Sequence, residues 1–104
     1  MPGVDFNRLR ADIPMEDVLY LLGFEPTSRS GPQWYGRCPL HESRSRRSRC
    51  FSVNVALGRY YCHGCQSHGN QLDLWAAVTR LPLHRAAIDL CQHLGRGVPW
   101  IRRR

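Results

Sequence analysis

The sequence predicts a small α+β fold in which an antiparallel β-hairpin is flanked by α-helices. Three observations support this prediction. The chain has 104 residues, which suits a single domain. Apolar and polar side chains alternate over residues 51–55, which is the period of a half-buried strand. Apolar residues recur at helical spacing over residues 72–78 and 83–94, so we expect helices after the hairpin.

The N-terminal part of the chain predicts a lead-in segment, a helix and a loop. Residues 1–12 are expected to form the lead-in segment, with a helical stretch around 6–10. A helix is predicted at 14–22, because Pro14 suits a first helical turn and Gly23 suits the residue that ends a helix. Residues 25–33 have the composition of a loop.

The middle of the chain predicts strands. Residues 34–37 are expected to form a short strand that leads into Cys38. Residues 51–55 and 59–62 are then predicted to pair around a turn at 57–58.

The C-terminal part predicts two helices. Asn70 can cap the first helix, and Pro82 separates it from the second, predicted at about 83–94. We therefore expect one domain over residues 13–95, followed by a basic tail at 96–104.

The charge of the chain favours an anionic partner. Fifteen basic residues, all of them arginine, stand against eight acidic residues, giving a formal net charge of +7. Arginine grips phosphate with a planar pair of hydrogen-bond donors. A GC-rich genome is the alternative explanation for the absence of lysine.

The five cysteines indicate a metal site in a reducing compartment. The N-terminus has no apolar core of the length that a secretory signal needs. No apolar run approaches the roughly 20 residues that span a membrane, so we expect no membrane partner. These features favour the cytoplasm, where paired cysteines indicate metal binding before disulfides.

Two short ligand pairs predict one structural zinc ion. Cys38 and His41 form a C-x2-H pair, and Cys62 and Cys65 form a C-x2-C pair twenty residues later. Each pair can turn two side chains toward one point, and a hairpin can bring the pairs together in a tetrahedron. Four protein ligands leave no position for substrate, so the zinc is expected to be structural. An iron–sulfur cluster is the less favoured alternative.

The other cysteines and histidines are weaker candidates. Cys50 is the alternative to His41 as fourth ligand, although a buried thiol is its expected role. Cys91 is expected to pack in the core. The remaining histidines are expected at the surface, where the first two could contact phosphate: His63, His68, His84 and His93.

Several of these motifs resemble the N-terminal zinc-binding domain of bacterial and phage DNA primases. They are C-P-L-H-E at 38–42, the hairpin F-S-V…Y-Y-C, and C-H-G-C-Q-S-H-G-N at 62–70. The resemblance covers about residues 13–95, and it implies a zinc ribbon made of an antiparallel sheet with flanking helices. It places the four zinc ligands at Cys38, His41, Cys62 and Cys65.

The resemblance also implies a role in DNA replication. Domains of this family contact single-stranded template DNA, and a separate catalytic domain polymerises the primer. This sequence departs from the family after the histidine, where E-S-R-S-R-R-S-R-C-F is longer, basic and without the usual proline. A chain of this length leaves no room for a catalytic domain, and its eight acidic residues are scattered. We expect either a free-standing zinc-binding protein that works beside another polypeptide or a fragment of a longer protein. We therefore expect no enzymatic activity from this chain alone.

Arginines and aromatic residues near the ligands form a candidate surface for single-stranded DNA. Positive charge suits the phosphate backbone, and exposed rings suit stacked bases. The strands carry four rings, of which about half are expected to lie in the core instead: Trp34, Tyr35, Tyr60 and Tyr61. The candidate residues are Arg37, Arg44, Arg46, Arg47, Arg49, Arg59, Trp34 and Tyr60.

Two functions follow from these predictions. The favoured one is a zinc-dependent module that binds single-stranded DNA and assists a polymerase, a primase or another DNA-processing protein in trans. The alternative is a zinc-ribbon adaptor that docks on a larger protein through its apolar helices and the pair at 100–101.

Overall fold

The computed structural model describes residues 3–40 and 50–101, and it has the predicted α+β architecture. A five-stranded antiparallel sheet lies against four short helices. In chain order the elements are α1 (Phe6–Asp12), α2 (Met15–Leu21), β1 (Ser28–Ser30), β2 (Gln33–Gly36), β3 (Phe51–Asn54), β4 (Arg59–Cys62), β5 (His68–Asn70), α3 (Gln71–Thr79) and α4 (Leu83–Leu94).

The sheet is a simple meander in the order β1-β2-β3-β4-β5. Val53 of β3 lies opposite Tyr60 of β4, and both are buried. The next pair along, Ser52 and Tyr61, points to the other face. One face of the sheet therefore belongs to the core. We call the other, which carries Ser52 and Tyr61, the open face.

The predicted hairpin is confirmed. Its turn is closed by Asn54, whose carbonyl oxygen accepts a hydrogen bond from Gly58 and whose side chain accepts one from Leu57, both at 2.9 Å. Gly58 has a φ of 67°, a left-handed conformation that suits glycine.

Two outer strands were missed by the sequence prediction. β1 lies inside the stretch 25–33 that was expected to be a loop, and β5 directly precedes α3. Both have three residues, and neither contains an apolar side chain. Their pairing is made by the backbone, so hydrophobic periodicity could not reveal it.

The helices begin and end close to the predicted positions. Asn70 caps α3 in a capping box: its side chain accepts from the N–H groups of Leu72 and Asp73, and the Asp73 carboxylate accepts from the Asn70 N–H at 2.9 Å. α4 ends at Gly95, which is left-handed with a φ of 67°.

The core extends beyond the predicted bounds of 13–95. Val4 and Leu9 of the lead-in segment are buried. Val4 also pairs with Trp100 in an isolated antiparallel bridge, and the Ile101 N–H donates to the Gly3 carbonyl at 2.7 Å. The two ends of the described chain are thus packed together. Arg102, Arg103 and Arg104 of the predicted tail lie outside the described residues.

One buried polar side chain fastens α1 to α3. The Gln71 amide nitrogen donates to the carbonyls of Arg10 and Ile13, at 2.9 and 2.7 Å. Both acceptors lie near the end of α1, where helical carbonyls lack partners within the helix. Across the described ranges, no helix combines the length and apolar character needed to cross a membrane.

Candidate metal centre

The sheet brings the ends of β2 and β4 to one edge. Phe51, the first residue of β3, lies opposite Gly36 on one side and Cys62 on the other. Cys38 follows β2 by two residues, and Cys65 lies in the turn between β4 and β5. The strand register therefore gathers the three cysteines at the same corner.

The three thiols have the spacing of a zinc site. The sulfur atoms of Cys38, Cys62 and Cys65 all lie within 4.8 Å of one another, and those of Cys38 and Cys65 are 3.9 Å apart. Tetrahedral zinc with bonds of about 2.3 Å would hold two sulfurs about 3.8 Å apart. An S–S bond would need about 2.05 Å. The donors present therefore fit zinc rather than a disulfide.

Each short turn that carries the cysteines, here called a knuckle, has a backbone N–H that donates to a sulfur. Leu40 donates to the Cys38 sulfur at 3.3 Å, and Cys65 donates to the Cys62 sulfur at 3.4 Å. The second knuckle turns through Gln66, which has a left-handed φ of 61° and donates from its N–H to the Cys62 carbonyl at 2.8 Å. These donors favour thiolate, the form that binds metal.

The thiols differ in how strongly they hold a proton without metal. Burial raises the pKa of Cys38 to about 12 and also raises the pKa of Cys62. Burial pushes the pKa of Cys65 upward too. Hydrogen bonds from the Ser67 N–H and the neighbouring thiols outweigh it, so that pKa is lowered. Cys65 is exposed, whereas Cys38 and Cys62 are buried.

An aromatic cluster in the core packs beside the strand ends that carry the cysteines. The Phe51 ring packs edge-on against Phe24, with centroids 5.3 Å apart, and stacks on Tyr60 at 5.6 Å. Gly36 leaves room for the Phe24 ring, because a Cβ at that position would lie 2.8 Å from the nearest ring carbon. The strand ends that carry the ligands thus rest on a packed core.

The predicted fourth ligand lies outside the described residues. His41 falls in the gap at 41–49, so its place in the site stays a prediction. Cys50 is half-buried against the core and is not part of the three-cysteine group. Cys91 is fully buried in α4, as expected. The histidines at 63, 68, 84 and 93 are exposed, also as expected.

The predicted DNA-contacting rings lie on the core side of the sheet. Tyr60 is 4% exposed, and its hydroxyl is 2.8 Å from that of Ser67. Burial leaves it no free face for a base, which corrects its predicted role. Trp34 is half-buried against the core, with the Arg29 guanidinium 4.4 Å above its ring.

The exposed ring on β4 is Tyr61, one of the four strand rings considered but not one of the two predicted to contact DNA. Its ring lies 4.8 Å from His63 and 6.1 Å from His68, so three rings cluster on the open face. The alternation of side chains along β4 could have predicted this exposure. Cys62 is a buried ligand, so Tyr60 lies on the same side of the strand as Cys62 and Tyr61 lies on the other side.

The predicted arginines divide between the described and undescribed parts of the chain. Arg59 is exposed on the open face, opposite Asn54 and Asn70. Arg37 is exposed just after β2. The arginines of the basic stretch at 42–49 lie outside the described residues: Arg44, Arg46, Arg47 and Arg49.

Comparison with known proteins decides the family. Residues 5–102 match the family model described as the CHC2 zinc finger. The chain belongs to this family. Its zinc site and its identity as a primase-type zinc-binding domain follow from that membership and from the three-cysteine group.

Curated relatives of this CHC2 zinc finger are DNA primases. It is 31% identical over 80 residues to the DNA primase of Treponema pallidum, covering 76% of this chain and 13% of that protein. It is 40% identical over 75 residues to the DNA primase of Helicobacter pylori strain J99, covering 72% of this chain and 12% of that protein. The chain thus spans about one eighth of the length of these relatives.

A solved structure has the same fold. The crystal structure of the Aquifex aeolicus primase, comprising its zinc-binding and RNA polymerase domains, superposes with a TM-score of 0.71 at 21% identity. The match covers 91% of this chain and 22% of that one.

Proposed function

We propose that this CHC2 zinc finger binds single-stranded DNA on the open face of its sheet and assists a polymerase or primase. The observation that carries the proposal is the cluster of Tyr61, His63 and His68 beside the zinc knuckle. Rings of this kind stack on bases of any sequence, and Arg59 on the same face supplies charge for the backbone.

Zinc makes this face rigid in the proposed function. Cys62 and Cys65 flank His63, so the metal fixes the turn that carries one of the three rings. β5, which carries His68, begins three residues after Cys65. Loss of zinc would therefore loosen two of the rings, although neither is a ligand.

Polymerisation is proposed to belong to another domain or polypeptide. The relatives named as DNA primases are about eight times longer than the matched region, which leaves most of their length for other activities. The thiol ligands need a reducing environment, so we place this function in the cytoplasm.

A salt series with labelled oligothymidylate tests the proposal. The zinc-loaded chain should bind at low salt and lose affinity as salt rises. Tyr61→Ala should weaken binding about tenfold, since one stacked base is worth about 1–3 kcal/mol. Tyr20→Ala is the matched control, because Tyr20 is 85% exposed on α2 and outside the sheet. No binding at low salt would overturn the proposal.

The adaptor function has one specific observation in its favour. Trp100 and Ile101 are 42% and 48% exposed, and the Trp100 ring lies 6.2 Å from that of His84 at the start of α4. α3 and α4 direct most of their apolar side chains into the core, so the patch at Trp100 and Ile101, rather than the helix faces, is the surface proposed to dock a protein. Trp100→Ala would weaken such docking without changing DNA binding.

A further inference from the structure

Two neighbouring depressions meet at the turn between β3 and β4. The first, of about 660 Å³, lies on the open face and is lined by Tyr61 and His68. The second, of about 520 Å³, lies between α1 and that turn and is lined by Asn7 and Met15. We call them the sheet depression and the helix depression. The residues that line both are Arg10, Leu57, Arg59 and Asn70.

Two exposed guanidinium groups stand where the depressions join. Within residues 3–40 and 50–101, the ion pairs are Arg8–Asp12 and His93–Asp89. Neither Arg10 nor Arg59 therefore has a carboxylate partner in that part of the chain. The Arg10 guanidinium is held by the Asn7 side-chain oxygen at 2.6 Å, one helical turn away. Asn7 also lines the helix depression, so this hydrogen bond restrains the guanidinium beside it.

The nearby carboxylate is already engaged. Asp73 lines the sheet depression, and its oxygen accepts from the Asn70 N–H at 2.9 Å. This capping role ties its charge to the positive end of α3. The junction beside Arg10 and Arg59 thus keeps a positive character.

The linings of the two depressions suit different parts of a nucleotide. The sheet depression includes aromatic rings, whereas the lining of the helix depression, taken over the described residues, has none. A DNA strand that continues from the rings of the open face into the helix depression would meet arginine and small apolar groups. Phosphate, rather than a stacked base, is the group that arginine pairs with there.

We infer that the helix depression is a second DNA subsite, in which Arg10 binds the phosphate of a strand that runs off the open face past Arg59. This inference rests on the proposed function and extends it from the sheet to α1. The open face binds the bases of the DNA. The DNA passes Arg59 where the sheet depression joins the helix depression, and Arg10 binds its backbone in the helix depression. Arg10 is absent from the predicted DNA-binding set, because it lies in the predicted lead-in segment.

The test compares Arg10→Ala with Arg8→Ala in the zinc-loaded chain. Both variants remove one arginine from α1, but Arg8 pairs with Asp12 and lines a different depression near the C-terminal segment. Binding is measured with oligothymidylates of about three and about eight nucleotides over a salt series. Thermal unfolding of each variant verifies that the fold is kept.

The expected result depends on oligonucleotide length. Arg10→Ala should weaken binding of the longer strand about three- to tenfold and lower its salt slope by about 0.7, the contribution of one phosphate contact. Binding of the shorter strand should be unchanged, as should both affinities of Arg8→Ala. Equal affinities and slopes for Arg10→Ala and Arg8→Ala would overturn the subsite and leave the open face intact. Failure of the unsubstituted chain to bind either strand would instead overturn the proposed function.

Discussion

The sulfur atoms of Cys38 and Cys65 lie 3.9 Å apart, although the two residues are 27 positions apart in the chain. This distance matches two ligands of one tetrahedral zinc ion. The strand register sets it, since β3 holds the ends of β2 and β4 together at Phe51. Folding and metal binding are therefore coupled: the sheet assembles the ligands, and the ion joins the strand ends.

Removal of one ligand should release the metal and destabilise the fold. Purified chain should contain one zinc, whereas Cys38→Ser should retain little and melt at a markedly lower temperature. Cys50→Ser is the control, because Cys50 lies outside the three-cysteine group. Elemental analysis and thermal unfolding measure both effects. Full zinc content in Cys38→Ser, or its loss in Cys50→Ser, would contradict the ligand assignment.

Zinc affinity should fall as the pH is lowered. The metal-free pKa values of Cys38, about 12, and Cys62 are above the ordinary value, so both thiols are protonated near neutral pH. Zinc must displace those protons, and each one released costs about tenfold in affinity per pH unit. Competition with a chelator between pH 6 and 8 should show a slope of about two to three decades per unit. A flat profile would contradict thiolate ligation.

Metal-free chain should show the opposite trend at high pH. A folded-state pKa above the ordinary 9.0 means that the fold favours the protonated Cys38 thiol. That contribution is complete below pH 9 and is lost as the pH rises from about 9 toward about 12. Urea unfolding with chelator present should therefore show stability falling across this window, while zinc-loaded chain resists. Increasing stability of the metal-free chain there would contradict the assignment.

Gly69→Ala should destabilise the junction between β5 and α3. Gly69 has a φ of 146°, and an added Cβ would lie 2.5 Å from the Asp73 carboxylate that completes the helix cap. We expect a loss of about 2 kcal/mol in the free energy of unfolding, measured in urea. Gly97→Ala should change it by less than about 0.5 kcal/mol, because nothing lies within 4 Å of its added Cβ. Equal effects would contradict this account of the cap.

Gln71→Leu should loosen α1 from the rest of the domain. The substitution keeps the approximate size of the side chain but removes the donor that satisfies two carbonyls at the end of α1. Unsatisfied buried groups cost about 1–3 kcal/mol, so unfolding should shift to lower urea. Gln92→Leu, at an exposed position on α4, should have a much smaller effect. Hydrogen exchange in α1 should quicken only in the first variant.

Much of the site could be predicted from spacing, because zinc ligation imposes a strict local geometry. The two-residue gaps and the alternating strand between them predicted both the hairpin and the convergence of three cysteines. The face on which each tyrosine of β4 lies also follows from the sequence once Cys62 is taken as a ligand. Since Cys62 is buried as a ligand, alternation assigns Tyr60 to the core and exposes Tyr61.

The remaining differences between the predicted and the observed fold come from contacts that leave no pattern in the local sequence. β1 pairs through its backbone while its side chains are polar, so Ser28 and Ser30 looked like loop residues. The first residues looked like a lead-in segment, yet Val4 enters the core by pairing with Trp100, almost the full chain length away. Such long-range contacts depend on the assembled fold rather than on neighbouring residues.

The central claim is that the zinc-bound sheet presents its open face to single-stranded DNA, and amide chemical-shift mapping tests it most directly. Oligothymidylate is added to labelled, zinc-loaded chain. The account predicts that the largest shifts fall on Ser52, Arg59, Tyr61 and His68, with little change at Tyr20 or along α4. Shifts confined to the patch around Trp100 and Ile101, or no shifts at low salt, would contradict it.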